Sequence, residues 1–453
     1  MNLLIKNGLI VTMDGERRVI KDGAILVRDG RIEEVGKTHK VSKFSAEEVI
    51  DARGKAVLPG LINSHTHTHE TLLSGVSDCL ELYSWSDTVL QPYLKSLRRE
   101  DCYWVALQAC AQMIGSGITC YNDMFGYNSP ILDVIIKVIE RCGIRGVIGR
   151  YIRDAEDPKY ASMAISDTLA AIEQCRDKPR IEVRFCPFTV LKCSGETYGK
   201  TRELASKYDV GLHTHMAETR KEIQIMEKEK GKGTVEYLDS LDFFGPDVVA
   251  AHAIWLKDEE IKILSDKGVK IVHNPSSNMK LASGVIPLRK LIDRGVTVAL
   301  GTDAAPFSDD WDMFIAMRLA TYLQKVHNLD AAASTAEEAL ELATINGAKA
   351  LMLEDEIGSL EVGKKADMIL IDLKGVGLTP INDIAKKLVF CGTGCYVDAS
   401  IIDGEIVMEN RCLKTVDESE LVEKSQTIAE DLIESSGIWK SLEAQGVKRW
   451  KVI

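Results

Sequence analysis

The sequence predicts an α/β protein, a (β/α)8 TIM barrel with a small β-sandwich domain formed by the N- and C-terminal segments. Eight short apolar runs, each followed by a helical pattern, fill roughly 300 central residues, as in such barrels. Turn dipeptides divide both ends of the chain into short strands. Most of the histidines fall where the central apolar runs end.

The N-terminal segment has the spacing of antiparallel hairpins. Short apolar runs such as LIVTM and AILV alternate with the turn dipeptides Asn7-Gly8, Asp14-Gly15, Asp22-Gly23 and Asp29-Gly30. The same pattern of short apolar runs and turn residues occurs again in ADMILIDL and IIDGEIVMENRCLK. We therefore expect residues 1–57 and 361–415 to build the sandwich together. The charged stretch DESELVEKSQTIAEDLIESSG predicts a C-terminal helical tail over residues 416–453.

The central segment, residues 58–360, is the predicted barrel. Its eight candidate strands are LPGLINSH, GITCYNDM, IRGVIGR, IEVRFCP, VGLHTH, VVAAHA, VKIVHN and VTVALGTD. Helical stretches separate them, for example RREDCYWVALQACAQMIGSG after the first. In a barrel of this kind the chemistry is assembled at the carboxyl ends of the strands.

Composition excludes several classes of partner. The chain has 453 residues, 45% of them hydrophobic, and a formal net charge of −12, which disfavours nucleic acid and anionic membranes. Eleven cysteines are scattered without CxxC pairs, which is typical of reduced thiols in a cytoplasmic protein. The apolar run in MNLLIKNGLIVTMDG is too short for a signal peptide, and no later run is long enough to span a bilayer.

Seven of the nine histidines lie at the ends of predicted strands: His65, His67 and His69 at the first, His213 and His215 at the fifth, His252 at the sixth and His273 at the seventh. The eighth strand ends at Asp303. Alternate residues of a strand face the same side, so a His-x-His pair can present two rings to one point. Imidazole and carboxylate are zinc ligands, and an open coordination position takes water.

Each of these residues has a structural explanation when taken alone. Asp303 can cap the following helix, and Glu218 can be an acid favoured in a first helical turn. His213, His215 and His252 can be buried core histidines. All of these explanations would have to hold together at several strand ends of one barrel. The clustering therefore favours a metal site.

Seven motifs resemble those of the amidohydrolase superfamily: PGLINSHTHTH, GLHTHMAET, AHAIWL, HNPSSNMKLASG, LGTDAAP, DMFIAMRLATYLQK and IGSLEVGKKADMILID. The chain is most similar to the branch of heteroaromatic aminohydrolases and chlorotriazine hydrolases that includes the methylthioadenosine/adenosylhomocysteine deaminases. The resemblance implies the metal ligands His65, His67, His215 and Asp303. It also implies the catalytic residues Glu218 as proton shuttle, His252 to orient the nucleophile, and Asp303. It leaves His69 outside the ligand set and the roles of His213 and His273 open.

The activity implied by the resemblance is hydrolytic deamination. Ammonia would leave a purine, pterin, pyrimidine or triazine type of heterocycle after attack of metal-bound hydroxide. Family members with two metals carry a carboxylated lysine at the end of the fourth strand, but this strand ends in FCPF. We therefore expect one divalent metal ion, Zn²⁺ or alternatively Fe²⁺. The resemblance also implies a homodimer or homotetramer.

Two departures from the adenosine-type deaminases bear on the substrate. Our alignment puts Leu94 where those enzymes have a glutamate that holds ribose hydroxyls, and Phe188 where they have a histidine. Both changes replace a hydrogen-bonding group by an apolar one, which weakens recognition of a ribose. We therefore expect a free heteroaromatic base rather than a nucleoside.

Other functions are compatible with the same motifs. A hydrolytic dechlorinase or N-dealkylase of s-triazine-like compounds, or a cyclic amidase, would use the same centre but would not release ammonia from a ring amino group. The third possibility is a non-catalytic scaffold protein on a barrel that has lost its activity. Such a protein would be expected to lose metal ligands or the acid that shuttles the proton. Here the implied set is intact: His65, His67, His215, Glu218, His252 and Asp303.

Overall fold

The computed structural model describes residues 2–448, which contain eighteen strands and nineteen α-helices. The strands are β1 Leu3–Val11, β2 Val19–Arg28, β3 Arg31–Lys37, β4 Glu48–Asp51, β5 Lys55–Pro59, β6 Leu61–Thr66, β7 Ile118–Phe125, β8 Arg145–Ile152, β9 Ile181–Val183, β10 Cys186–Pro187, β11 Leu212–Met216, β12 Val248–His252, β13 Lys270–His273, β14 Val298–Leu300, β15 Met368–Asp372, β16 Val397–Ile402, β17 Glu405–Glu409 and β18 Cys412–Leu413.

The α-helices cover Thr38–Val41, Leu82–Trp85, Gln91–Ser96, Arg99–Gly115, Leu132–Cys142, Pro158–Cys175, Gly195–Tyr208, Arg220–Lys230, Thr234–Asp239, Asp258–Asp266, Pro275–Lys280, Leu288–Asp293, Ala305–Ser308, Met313–Asn328, Ala336–Leu342, Ile345–Leu351, Ile384–Cys391, Glu418–Ser436 and Ile438–Ala444. Short 3₁₀ helices cover Thr68–Leu73, Val376–Leu378 and Gly394–Tyr396, and a π-helical turn covers Ser86–Leu90. Within residues 2–448, none of the helices has the length and apolar character that a bilayer span requires.

Strands β6 to β14 form a closed parallel barrel. They make two groups, β10-β8-β7-β6 with β9 also on β8, and β11-β12-β13-β14. Parallel bridges between Thr66 and Asp303 and between Phe185 and Leu212 join the groups at both seams. Every residue of β7 and β8 is buried, as expected for strands covered by helices outside and packed side chains inside. The predicted (β/α)8 barrel is confirmed, and each predicted strand is present, the fourth as the two short strands β9 and β10.

The two ends of the chain share one nine-stranded sheet in the order β18-β17-β16-β15-β5-β1-β2-β3. The ninth strand, β4, lies outside this order and pairs with β1. The N-terminal and C-terminal parts meet where β5 pairs antiparallel with β15, with Pro59 opposite Met368. Leu3, Ile25 and Ile401 belong to the apolar core beneath this sheet. The prediction that both segments build one β-structure is confirmed, while the boundaries at 57, 360 and 415 stay predictions.

A buried ion pair connects the sheet to the barrel at the end opposite the site. Arg145, the first residue of β8, donates to both carboxylate oxygens of Asp367 at 2.8 and 3.0 Å. Its remaining terminal nitrogen donates to the carbonyl of Pro179, and the Asp367 carboxylate also accepts the amide of Asp403. The charges are therefore paired and hydrogen-bonded, which a buried pair requires.

The C-terminal helix begins at Asp417, whose carboxylate accepts the amides of Ser419 and Glu420. It covers Glu418–Ser436 and packs on the helices Arg99–Gly115 and Gln91–Ser96. Residues 449–453 of the predicted tail, and Met1 of the first segment, lie outside the described residues.

Candidate active site

Four strand ends bring the predicted metal ligands together. His65 lies in β6 and His67 directly after it, His215 lies in β11, and Asp303 follows β14. All four side chains are buried. The amide of Asp303 donates to the carbonyl of His65 at 3.0 Å. This hydrogen bond joins the end of β14 to β6, where the barrel closes, and so places the Asp303 carboxylate beside β6.

The spacing of the ligand atoms fits one cation. The Nε2 atoms of His67 and His215 are 3.1 Å apart, and Asp303 Oδ1 lies 3.5 Å from His67 Nε2. Asp303 Oδ1 also lies 3.4 Å from His65 Nε2. Ligands held tetrahedrally at zinc distances of about 2.1 Å are separated by about 3.4 Å. The three measured separations are close to this value.

The ring protons support the same assignment. His67 Nδ1 lies 2.8 Å from the carbonyl of Met124, and His215 Nδ1 lies 3.0 Å from the carbonyl of Phe188. A carbonyl can only accept, so each Nδ1 carries the proton and each Nε2 carries a lone pair. Two lone pairs that face each other at 3.1 Å repel unless a cation lies between them. The residues present therefore fit a bound metal ion.

His213 orients His65 from behind. Its Nε2 lies 2.9 Å from His65 Nδ1, and both rings are completely buried. Among the described residues, His65 Nε2 has no hydrogen-bond partner and is left facing the centre. His213 is thus a partner of a predicted ligand, the arrangement that fixes ring orientation in many metal sites.

His252 stands between the two catalytic carboxyls predicted from the sequence. Its Nε2 is 3.7 Å from Glu218 Oε2 and 3.8 Å from Asp303 Oδ2, while Nδ1 lies 3.0 Å from Asn278 Oδ1. Burial lowers the pKa of His252, but the carboxylates of Glu218 and Asp303 outweigh this effect and raise it above its ordinary value. The ring therefore lies within ion-pair distance of both carboxyls.

Glu218 follows β11 and lies at the wall of the cavity. Burial raises the pKa of its carboxyl to about 7, and Ser283 Oγ donates to Oε1 at 3.4 Å. The segment that carries it is fixed by Glu222, which accepts the amides of Ala217 and Glu218 at 2.9 and 3.2 Å. The sequence analysis missed Glu222, whose signal was a second acid one helical turn after Glu218.

Several strand ends of the site have left-handed backbone. The φ angles are 50° at Ala217, 76° at His252 and 63° at Asp303. Such angles in non-glycine residues cost about 1–3 kcal/mol each and cluster at functional sites. The strain lies at His252 and Asp303 and at Ala217, the residue directly before Glu218.

The cavity over the centre has a volume of about 120 Å³. Tyr151 and Phe188 stack in its wall with centroids 4.2 Å apart. Phe188 faces the cavity as expected, but the expectation for Leu94 is wrong. Leu94 is buried in the core and does not line the cavity; the loop and helices after β6 contribute Leu82, Tyr83, Trp85, Ser86 and Leu90 instead.

The two remaining histidines differ in position. His69 lies beside the cavity wall, where its Nδ1 accepts the amide of Gly126 at 3.0 Å and its Nε2 is 3.2 Å from Glu70 Oε1. Glu70 lines the cavity and was not singled out from the sequence. His273 is buried, does not line the cavity, and has no partner for either ring nitrogen within residues 2–448.

Comparison with known proteins identifies the family. Residues 56–407 match the model described as the amidohydrolase family. The chain belongs to this family. The amidohydrolase is 39% identical over 434 residues to a 5'-deoxyadenosine deaminase from Methanosarcina acetivorans, with 95% of this chain and 98% of the relative covered.

Two further proteins are similar over almost their whole length. A 5-methylthioadenosine/S-adenosylhomocysteine deaminase from Syntrophomonas wolfei is 37% identical over 434 residues, with 96% of this amidohydrolase and 100% of the relative covered. The crystal structure of an adenosine deaminase from Xanthomonas campestris with bound zinc superposes with a TM-score of 0.91 at 30% identity, with 95% and 98% of the two chains covered.

Proposed function

We propose that this amidohydrolase is a metal-dependent hydrolytic deaminase that releases ammonia from a nitrogen heterocycle of the purine type. The observation that carries the proposal is the pair of Nε2 lone pairs of His67 and His215, 3.1 Å apart beside Asp303, with Glu218 in the wall of the same cavity. The names of the deaminase relatives support the same reaction.

The metal is one divalent ion held by His65, His67, His215 and Asp303. Zn²⁺ suits this donor set and is the ion in the similar adenosine deaminase, with Fe²⁺ as the alternative. No lysine stands at the end of β10, and Lys192 lies further along the chain with its ammonium 2.7 Å from Glu156. The absence of a bridging lysine supports a single ion.

Three side chains then divide the proton transfers. A divalent ion at this centre supplies an acidified water. Asp303 or His252, 3.8 Å apart, accepts the proton that the attacking water loses. Glu218 protonates the ring nitrogen next to the attacked carbon, a role suited to a carboxyl with a pKa near 7. Once the water oxygen has bonded to the ring carbon, the proton held by Asp303 or His252 passes to the exocyclic amino group, and cleavage of the C–N bond releases ammonia.

Among the possible substrate classes, purines are the one that we propose. The relatives are named for adenosine derivatives, and the argument against a sugar now depends on Phe188 alone because Leu94 does not reach the cavity. The stacked wall of Tyr151 and Phe188 suits a flat heteroaromatic ring. Assays with adenine and 5'-deoxyadenosine side by side decide whether the sugar is needed.

The decisive experiment is an ammonia-release screen with metal-replete protein over purines, pyrimidines, pterins and triazines. Glu218→Gln should lower kcat by about 10²- to 10⁴-fold at unchanged metal content, because it removes the transferable proton. Glu229→Gln, an exposed glutamate in the next helix, is the matched control and should keep full activity. Release of chloride or alkylamine in place of ammonia would instead support the hypothesis of a dechlorinase or an N-dealkylase.

The same proposal covers partners and location. A small heteroaromatic substrate is the expected ligand, with no nucleic acid or membrane partner, in a cytoplasmic homodimer or homotetramer. The net charge of −12 supports the expectation that the protein does not bind polyanions such as nucleic acids. Sedimentation equilibrium measures the oligomeric state.

A further inference from the structure

We propose that Glu70 is a specificity-determining residue that accepts a hydrogen bond from an N–H group of the heterocycle other than the amino group that leaves. The site would then favour bases with a second N–H donor over bases with only the reacting amino group. This inference rests on the proposed function and names the substrate more closely.

Glu70 is a buried acid with an unused acceptor. It lies in the 3₁₀ helix after β6, is 2% exposed, and lines the cavity. Its Oε2 has no hydrogen-bond partner among the described residues. An unpaired buried carboxyl oxygen is unfavourable unless a ligand completes its hydrogen bonding. Glu70 follows β6 and Glu218 follows β11, so the two acids come from different strands of the barrel.

The neighbouring residues hold Glu70 in place. Its amide donates to the carbonyl of His67 at 3.0 Å. His69 Nδ1 accepts the amide of Gly126, so its Nε2 carries the proton and lies 3.2 Å from Glu70 Oε1, although not aligned for a regular hydrogen bond. Oε1 therefore has a polar neighbour in His69, the Tyr151 hydroxyl also lies near the carboxyl, and Oε2 keeps no regular hydrogen bond within residues 2–448.

A second cation is the rival explanation, because ligand atoms of His67, His69 and Glu70 lie within 4.8 Å of one another. The ring protons argue against it. His69 Nε2 carries a proton, and His67 uses Nδ1 to donate to Met124 while Nε2 faces His215. Neither ring has a lone pair left for a second ion beside Glu70.

The chemistry of a carboxyl oxygen selects the ligand group. An ionised carboxylate oxygen accepts hydrogen bonds and cannot donate, so the ligand group that completes Oε2 must carry an N–H. In a 9-substituted adenine such as 5'-deoxyadenosine, the amino group that reacts is the only N–H group of the base, whereas the free base also has a ring N–H. The base 2,6-diaminopurine keeps that group and adds a second N–H donor. A hydrogen bond to a buried polar or charged group changes affinity by about 10- to 100-fold.

The test measures the preference between these two bases, each as free base and as 5'-deoxynucleoside. Calorimetry in the Glu218→Gln background gives Kd without turnover, and kcat/KM comes from the active protein. With Glu70 present, the 5'-deoxynucleoside of 2,6-diaminopurine should bind at least about 10-fold more tightly than 5'-deoxyadenosine. Glu70→Met should remove this preference, and Glu229→Gln should keep it.

Three results would overturn the proposal. Equal Kd values for the two 5'-deoxynucleosides with Glu70 present would do so without any variant at this position, even if Glu70→Met does not fold. An equal loss for both bases, free and as nucleosides, in Glu70→Met would make the residue structural. An equal loss for both nucleosides that spares the free bases would assign it to the sugar. Absence of ammonia release from every substrate would reject the proposed function instead, and the binding preference would still be measurable.

Discussion

Removing the Glu222 carboxylate should loosen the segment that carries Glu218. Glu222 is 3% exposed, and its Oε1 accepts both the amide of Ala217 and the hydroxyl of Thr234, at 2.9 and 2.6 Å. Its Oε2 accepts the amide of Glu218 at 3.2 Å. Glu222→Leu removes both oxygens and so all three hydrogen bonds, whereas Glu222→Gln keeps one oxygen and turns an N–H₂ toward one of the donors.

The magnitude follows from the donors left without partners. Each buried donor without an acceptor costs about 1–3 kcal/mol, and three of them are affected in Glu222→Leu. Partial rearrangement reduces the sum, so we expect a loss of about 4 kcal/mol in the free energy of unfolding. Glu222→Gln leaves one donor facing the amide N–H₂ and should lose about 1–2 kcal/mol.

Urea denaturation and steady-state kinetics on one set of samples test both consequences. A shift of about 1 Å in Glu218 should lower kcat by up to about 100-fold, with the metal content unchanged. Glu229→Gln is the exposed control. Glu222→Leu with an unfolding free energy within about 0.5 kcal/mol of the parent, the range of neutral surface substitutions, and with full kcat, would refute the reasoning.

Three further predictions concern other parts of the molecule. His67→Ala should lose the bound ion, measured by atomic emission after dialysis; full retention would contradict the ligand set. Asp367→Asn should destabilise the fold by about 3–5 kcal/mol, because it leaves buried Arg145 without its counter-ion, and thermal unfolding measures this; kcat per folded molecule should stay the same. Gly126→Ala should lower kcat/KM with metal retained, because its Cβ would lie 2.4 Å from His69 Nε2; unchanged kinetics would show that this ring can move freely.

Much of the fold could be predicted from local pattern. The apolar runs GITCYNDM and IRGVIGR became β7 and β8, because strands buried on both faces consist of continuous apolar stretches. The run IEVRFCP was predicted as one strand but is divided into β9 and β10. Between them Phe185 bridges to Leu212 on the neighbouring group, a change of partner that periodicity does not record.

The residues of the candidate site divide in the same way. His65, His67, His215, Glu218 and Asp303 could be singled out because strand ends of a barrel meet at one face. Leu94 was misplaced because it lies in the helix Gln91–Ser96 and packs into the core, while the cavity is lined by the short helix and π turn before it. Glu70 and Glu222 were missed because burial and unpaired oxygens are visible only once neighbouring elements pack around them.

The alternation of strands and helices, the acidic net charge and the residue types at the strand ends all follow from the sequence alone. Those properties depend on neighbours a few positions away. Only the tertiary structure decided that His67 and His215, 148 residues apart, face each other across 3.1 Å, and which ring nitrogen of each carries the proton. Such contacts arise from closure of the barrel, where the amide of Asp303 binds the carbonyl of His65, and no local pattern contains that distance.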